Sequence, residues 1–174
     1  MDMGKEKEVR DVDIIVSRAD KEGNITYGNP IFMKFSGYNK DELLNKPHSI
    51  LRHPLMPKSI FKVLWDFLQK GKEVKVFVIN KSKNGDFYRV YAQIKPVYTS
   101  DGSFRSYVST RRKSNPAAWS IIVPLYKRLK EIEESEGMDA AIGELVKFIK
   151  QNGGNSLDDF NSVMEALQTD HISV

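Results

Sequence analysis

Apolar and polar positions alternate in short blocks along the first two thirds of the chain and then change period. Asp13-Ile14-Ile15-Val16-Ser17-Arg18 and Asn24-Ile25-Thr26-Tyr27 are strand-like runs on either side of the turn-forming Asp20-Lys21-Glu22-Gly23, which predicts an opening β-hairpin. Asn29-Pro30 suits the start of a helix, and Ile31, Phe32 and Phe35 give that helix one apolar face before Gly37 ends it. A second short helical piece at 40–44 leads into a connection rich in special residues: Pro47, His48, Arg52, His53, Pro54 and Pro57. Pro57 opens a longer helix in which Ile60, Val63, Leu64, Phe67 and Leu68 recur at helical spacing, closed by Lys70-Gly71. Beyond it, alternation over 74–79, the hairpin signal Asn84-Gly85, an extended run from Phe87 to Val97, a turn at Ser100-Asp101-Gly102 and a last run from Phe104 to Thr110 predict three antiparallel strands.

From Asn115-Pro116 the period becomes helical. Ala118, Ile121, Ile122, Leu125, Leu129 and Ile132 form one apolar stripe with charged residues outside it. Pro124 lies inside the stripe and predicts a kink or two shorter helices. Ala140 to Ile149 is a second amphipathic helix ended by Gly153-Gly154, and Ser156 with Asp159 three positions on marks the start of a third over 157–167. The organisation read from this pattern is an N-terminal extension at 1–12, helical or flexible, a sheet-containing domain at 13–113 and a helical extension at 114–170. The amphipathic flanking segments suit either a homodimer contact or packing on the core.

Composition narrows the chemistry. A chain of 174 residues can bury one real core with a helical appendage. It has no cysteine, which excludes disulfides, thiolate zinc sites, iron–sulfur ligation and a cysteine nucleophile. The first twelve residues alternate acidic and basic side chains, and no apolar run reaches the length of a membrane span, so a cytoplasmic protein is expected. The net charge of +4 comes from 27 basic and 23 acidic residues scattered along the chain, which gives no reason to expect a nucleic-acid partner. Arg111-Arg112-Lys113 reads as a solvated strand end. Neither a phosphate loop, a Gly-x-Ser-x-Gly elbow nor a His-Glu-x-x-His motif is present, so no enzyme is expected.

The order of elements and several motifs carry a resemblance. Asn29-Pro30 with Phe32, Phe35-Ser36-Gly37-Tyr38 with Glu42-Leu43, Lys46-Pro47-His48, and above all Arg52-His53-Pro54 with Met56-Pro57 resemble the flavin-binding PAS domain of the bacterial aerotaxis receptors. Phe61, Trp65, Gly71, Asn80, Lys83-Asn84-Gly85-Asp86 and Tyr88 continue the match, which covers 13–112. The region from Lys113, with Ile122-Val123-Pro124-Leu125-Tyr126-Lys127, resembles stand-alone energy-taxis PAS proteins of the CetB type. Three positions depart from the aerotaxis pattern: Leu55 stands for an Asp, and Val74 and Arg89 each stand for a Trp.

The resemblance implies an α+β PAS fold, with a five-stranded antiparallel sheet, short helices on one face and a C-terminal helical extension. It also implies FAD as cofactor, and a redox or energy sensor that signals by contact to a chemoreceptor-like membrane partner. The membrane is then reached only through that partner. Asn29, Arg52, His53, Phe61, Trp65, Asn80 and Tyr88 are the implied cofactor-binding residues. Asn29 and Asn80 offer amides that can both donate to and accept from a ring edge, Phe61 and Trp65 offer walls, and Arg52 and His53 offer cationic contacts for phosphate. Simpler roles stand beside these: Asn29 as a helix N-cap, and Phe61 and Trp65 as core. The strand from Phe104 to Thr110, which leads into the C-terminal helices, is the expected signal conduit. Rival functions are a cofactor-free PAS interaction module, a haem PAS gas sensor and a catalytic flavoprotein, separated by a colourless protein, a Soret band and steady NAD(P)H oxidation.

Overall fold

Side chains that alternate along each strand build a sheet with two differently used faces. The strands are β1 (Ile15–Ala19), β2 (Ile25–Gly28), β3 (Val74–Lys81), β4 (Phe87–Tyr98) and β5 (Phe104–Lys113), all antiparallel and ordered β2-β1-β5-β4-β3. The computed structural model describes residues 4–170. The N-terminal extension lacks helix over its described residues, against one half of its sequence reading: Lys7 N–H donates to Phe87 O and Phe87 N–H to Lys5 O, so the segment runs extended along the start of β4. Positions 1–3 lie outside the described residues.

Register fixes which residues share a face. Ser17 lies opposite Ser109, Arg111 is flanked by Ile15 and Ala92, Ile94 pairs with Ser109, and Asn80 pairs with Tyr88. These residues face α1 (Pro30–Ser36), α2 (Lys40–Leu43), a 3₁₀ turn at His48–Leu51 and α3 (Lys58–Gln69). α1 starts where Asn29 caps it and ends at Gly37, whose φ of 75° is the left-handed geometry glycine accepts most easily. α2 carries a capping box between Asn39 and Glu42.

The opposite face and the β3 edge belong to α4 (Trp119–Ser135), α5 (Met138–Gln151) and α6 (Phe160–Thr169). Trp119 meets Phe77 edge-on with ring centroids 5.6 Å apart, and Arg89 lies 5.2 Å over the Trp119 ring. The apolar stripes of these helices are buried on the domain through Ile122, Leu125, Leu129, Leu145, Phe148, Phe160 and Met164, so core packing accounts for their amphipathicity. An edge strand with open hydrogen-bonding groups invites aggregation. Here Asn161 Oδ1 accepts from Lys75 N–H at 2.7 Å, the buried Tyr126 hydroxyl donates to Phe77 O at 2.6 Å, and Ile79 O accepts from His53 N–H at 3.4 Å. At its far end α4 reaches α3, where the Glu133 carboxylate accepts from Lys58 N–H at 2.8 Å and Ser59 N–H at 2.9 Å.

Of the two outcomes predicted at Pro124, a kink or two shorter helices, the split does not occur: α4 is one continuous helix. Proline there leaves the carbonyl of Ser120 without its helical donor, and Ser120 is exposed, so water can serve it. The last helix opens as its sequence implies, with a Ser156–Asp159 capping box and a 3₁₀ turn ahead of α6.

Candidate functional site

Small residues in the middle of a sheet leave space that larger ones would fill. Ser17 and Ala19 on β1, Ala92 on β4 and Ser109 on β5 all face the short helices, and above them lies a cavity of about 300 Å³. Its walls are mainly apolar: Leu64, Leu68, Val78 and Ile94 with the aromatic rings of Phe61, Trp65 and Tyr107. Trp65 and Tyr107 meet edge-on at 5.5 Å. Gly23 keeps the rim open, since a Cβ at this residue, whose φ is 85°, would come within 3.0 Å of the Trp65 ring. The exposed residues Glu22, Pro47 and Ser49 surround the mouth.

Polar chemistry concentrates at two ends. At the closed end Arg111, 4% exposed, donates from Nη2 to Ser17 Oγ at 2.9 Å, and Ser17 Oγ lies 2.8 Å from His48 Nε2. Because Arg111 can only donate, the Ser17 hydroxyl accepts from it and passes its own proton towards a neutral His48. Burial and the Arg111 charge push the His48 imidazole down to about 3, and burial pulls Arg111 down to about 10. The Arg111 guanidinium also sits 4.9 Å over the Phe32 ring. Near the mouth, the Arg52 guanidinium stacks 3.7 Å from the centroid of Phe61.

Three buried polar atoms of the lining lack hydrogen-bond partners: Arg52 Nε, Ser109 Oγ and Arg111 Nε. Buried polar atoms are normally satisfied, and a group of exceptions around one cavity points to a ligand with matching acceptors.

Of the residues implied from sequence, Arg52, Phe61, Trp65 and Asn80 line this cavity and Asn29, His53 and Tyr88 do not. Asn29 is engaged locally: its Oδ1 accepts from Phe32 N–H and Val16 N–H, and its Nδ2 donates to Ile14 O. His53 accepts from Leu55 N–H through Nδ1 and packs edge-on against Phe87, on the far side of the β3 edge. Tyr88 is wholly buried against Phe35, and burial pushes its hydroxyl up to about 12. In the sequence His48 stands within a motif and has no binding role assigned to it, and Ser17, Tyr107, Ser109 and Arg111 escape as site residues, although strict alternation from Tyr107 through Ser109 carries Arg111 onto the inward face. None of the three departures from the aerotaxis pattern lines the cavity: Leu55 is exposed, Val74 is buried in β3, and Arg89 stacks on Trp119 on the other side of the sheet.

The PAS-fold family model matches residues 25–111, half of the chain, from β2 to Arg111 of β5, with β1 lying ahead of the match. The chain belongs to the PAS family. It is 37% identical over 115 residues to the aerotaxis receptor of Escherichia coli (strain K12), a match covering 66% of this PAS chain and 22% of the receptor. It is 30% identical over 104 residues to the nitrogen fixation regulatory protein of Klebsiella pneumoniae, covering 60% of this chain and 21% of that protein. The PAS chain thus spans about a fifth of the length of these relatives. Among solved structures it resembles a light-oxygen-voltage domain studied with a flavin analogue, with a TM-score of 0.56 and 17% identity over 66% of this chain and 86% of that one. The light-state Aureochrome1 LOV structure gives a TM-score of 0.54 and 20% identity, covering 64% and 88% of the two chains. At such identities the likeness is one of fold. Among the described residues no cluster of His, Asp and Glu could hold a metal, and no helix is long and apolar enough to cross a membrane.

Proposed function

We propose that this PAS protein is a cytoplasmic redox sensor that binds FAD and reports the cofactor's oxidation state by contact with a chemoreceptor-like partner, without turning over a substrate. The observation that carries the reading is the cavity itself, aromatic and aliphatic on its walls and ringed by buried donors without partners. An isoalloxazine is a flat, largely apolar tricycle with one oxygen- and nitrogen-rich edge, and a 300 Å³ space falls within the range of small-molecule sites. Asn80 can meet that edge as both donor and acceptor, and Ser109 and Arg111 supply further donors. The remainder of a dinucleotide would leave by the mouth, where Arg52 offers a planar fork suited to phosphate. The similarity to the aerotaxis receptor supports the same ligand class.

FAD, when bound, supplies an electron-accepting ring whose hydrogen-bonding pattern depends on its oxidation state. The protein's part is to register that change. Phe61, Leu64, Trp65 and Leu68 project from α3 into the cavity, and the amino end of the same helix is held by Glu133 of α4. A small displacement of α3 therefore acts directly on the C-terminal helices, a shorter route than the one along β5. Dithionite reduction of the FAD-loaded protein should change hydrogen exchange at the Lys58 and Ser59 amides and along α4. Identical exchange in both oxidation states would contradict the sensor reading.

A further inference from the structure

The cavity contains a charge that no described residue pairs with. Arg111 is buried at its closed end, and the charged or titratable groups around it are His48 from the 3₁₀ turn, Tyr88 from β4, Tyr107 from β5, whose hydroxyl burial pushes up, Arg52 beside the mouth and Glu22 at the exposed rim. His48 and Tyr88 are neutral at pH 7, displaced to about 3 and about 12, and Arg52 has the same sign as Arg111. Glu22 is the one carboxylate lining the cavity, and it stands in solvent at the mouth. Among the described residues Arg111 makes no ion pair. Arginine stays protonated in proteins, and an unpaired buried charge is strongly disfavoured. Ser17 satisfies Nη2, while Nε remains without a partner. A hydrophobic residue would serve the core better at this position.

We infer that Arg111 is a potential-setting residue, a fixed cation that stabilises the reduced, negatively charged form of the bound ring over its oxidised form. The inference rests on the flavin reading given above. Two electrons from a low-potential donor, dithionite in the test, and one proton from the solvent convert the neutral oxidised isoalloxazine into a singly anionic reduced ring. A cation held in a poorly solvated site favours that anion and removes the need for a second proton. His48 accepts from Ser17 and so holds the hydroxyl in the orientation that receives Arg111. Its imidazole stays neutral throughout the titration range, which leaves Arg111 as the charge that acts.

The test is an equilibrium redox titration of FAD-loaded wild type, Arg111→Gln and Arg111→Lys over the neutral to mildly acidic range. The wild-type potential should fall by about 30 mV per pH unit, the value for one proton per two electrons, and keep that slope on acidification. In Arg111→Gln the reduced form should lose at least about tenfold in relative stability, a fall of about 30 mV, with the slope doubling at a higher pH than in wild type. Arg111→Lys, which keeps the charge, should restore the wild-type slope. An unchanged potential and slope in Arg111→Gln would overturn the inference and leave FAD binding intact. The wild-type slope is a test that needs no variant: two protons per two electrons at neutral pH would overturn the inference even if Arg111→Gln fails to fold. Failure of the wild type to take up FAD is a different result, and it would remove the flavin reading itself.

Discussion

A guanidinium, a hydroxyl and an imidazole form a short hydrogen-bonded chain at the closed end of the cavity, and each constrains the next. His48 is held near 3 when folded against about 6.5 in an unfolded chain, so the unfolded state binds the extra proton between those values. The contribution of His48 to stability is therefore complete above about pH 6.5 and is lost as pH falls towards 3. Urea unfolding should show wild type losing about 2 kcal/mol from this group between about pH 7 and pH 5, and His48→Gln should lack that component. Asn29 belongs to a separate argument. Its three hydrogen bonds make it a cap and a strap for β1, so Asn29→Ala should cost about 1–2 kcal/mol in urea unfolding and leave bound-FAD absorbance unmoved. Its amide was legible as a candidate from residue type, and its Asn-Pro setting equally announced the cap. Arg111 was the reverse case. Its neighbours Arg112 and Lys113 made it look like part of a solvated strand end, and only the pairing of β5 between β1 and β4 shows that its side of the strand is covered.

Among the helices on the cavity face, α3 touches both the cavity and the C-terminal helices. Its amino end lacks a side-chain cap of its own because Pro57 stands at the N-cap, and Glu133 supplies the acceptor from 75 residues away along the chain. A carboxylate at a helix amino terminus also meets the favourable end of the helix dipole. Glu133→Ala should therefore cost about 1 kcal/mol and raise hydrogen exchange at Lys58 and Ser59 before it affects the rest of α3. Tyr126→Phe should cost about 1–3 kcal/mol in thermal or urea unfolding, since it leaves the buried Phe77 carbonyl at the β3 edge without its donor. The helices and strands themselves were legible from period and turn residues, because those signals are local. The caps and edge contacts that join them were not, since Glu133, Tyr126 and Asn161 carry no local sign of a partner in α3 or β3. Pro124 shows the same limit from the other side: the residue rule allows a kink or a split into two helices, and exposure of the affected carbonyl lets one helix continue.

For the molecule as a whole, the same sheet provides a cavity on one face and a docking floor for three helices on the other. Small inward residues on adjacent strands make the space, and Arg52, Phe61, Trp65 and Asn80 stand around it. Arg52 near the mouth and the buried Arg111 at the back together suit a ligand that is flat and apolar in its middle and negatively charged at its extremities. Arg52→Ala should weaken FAD binding by roughly 10- to 100-fold in a fluorescence titration, the loss expected when charge-assisted hydrogen bonds are removed. The visible absorption spectrum of the purified native protein, followed by identification of what heat or acid releases, tests the central claim most directly. A yellow protein that bleaches on reduction and releases FAD near one equivalent per chain is the predicted result; a colourless protein that takes up no FAD on reconstitution would contradict it.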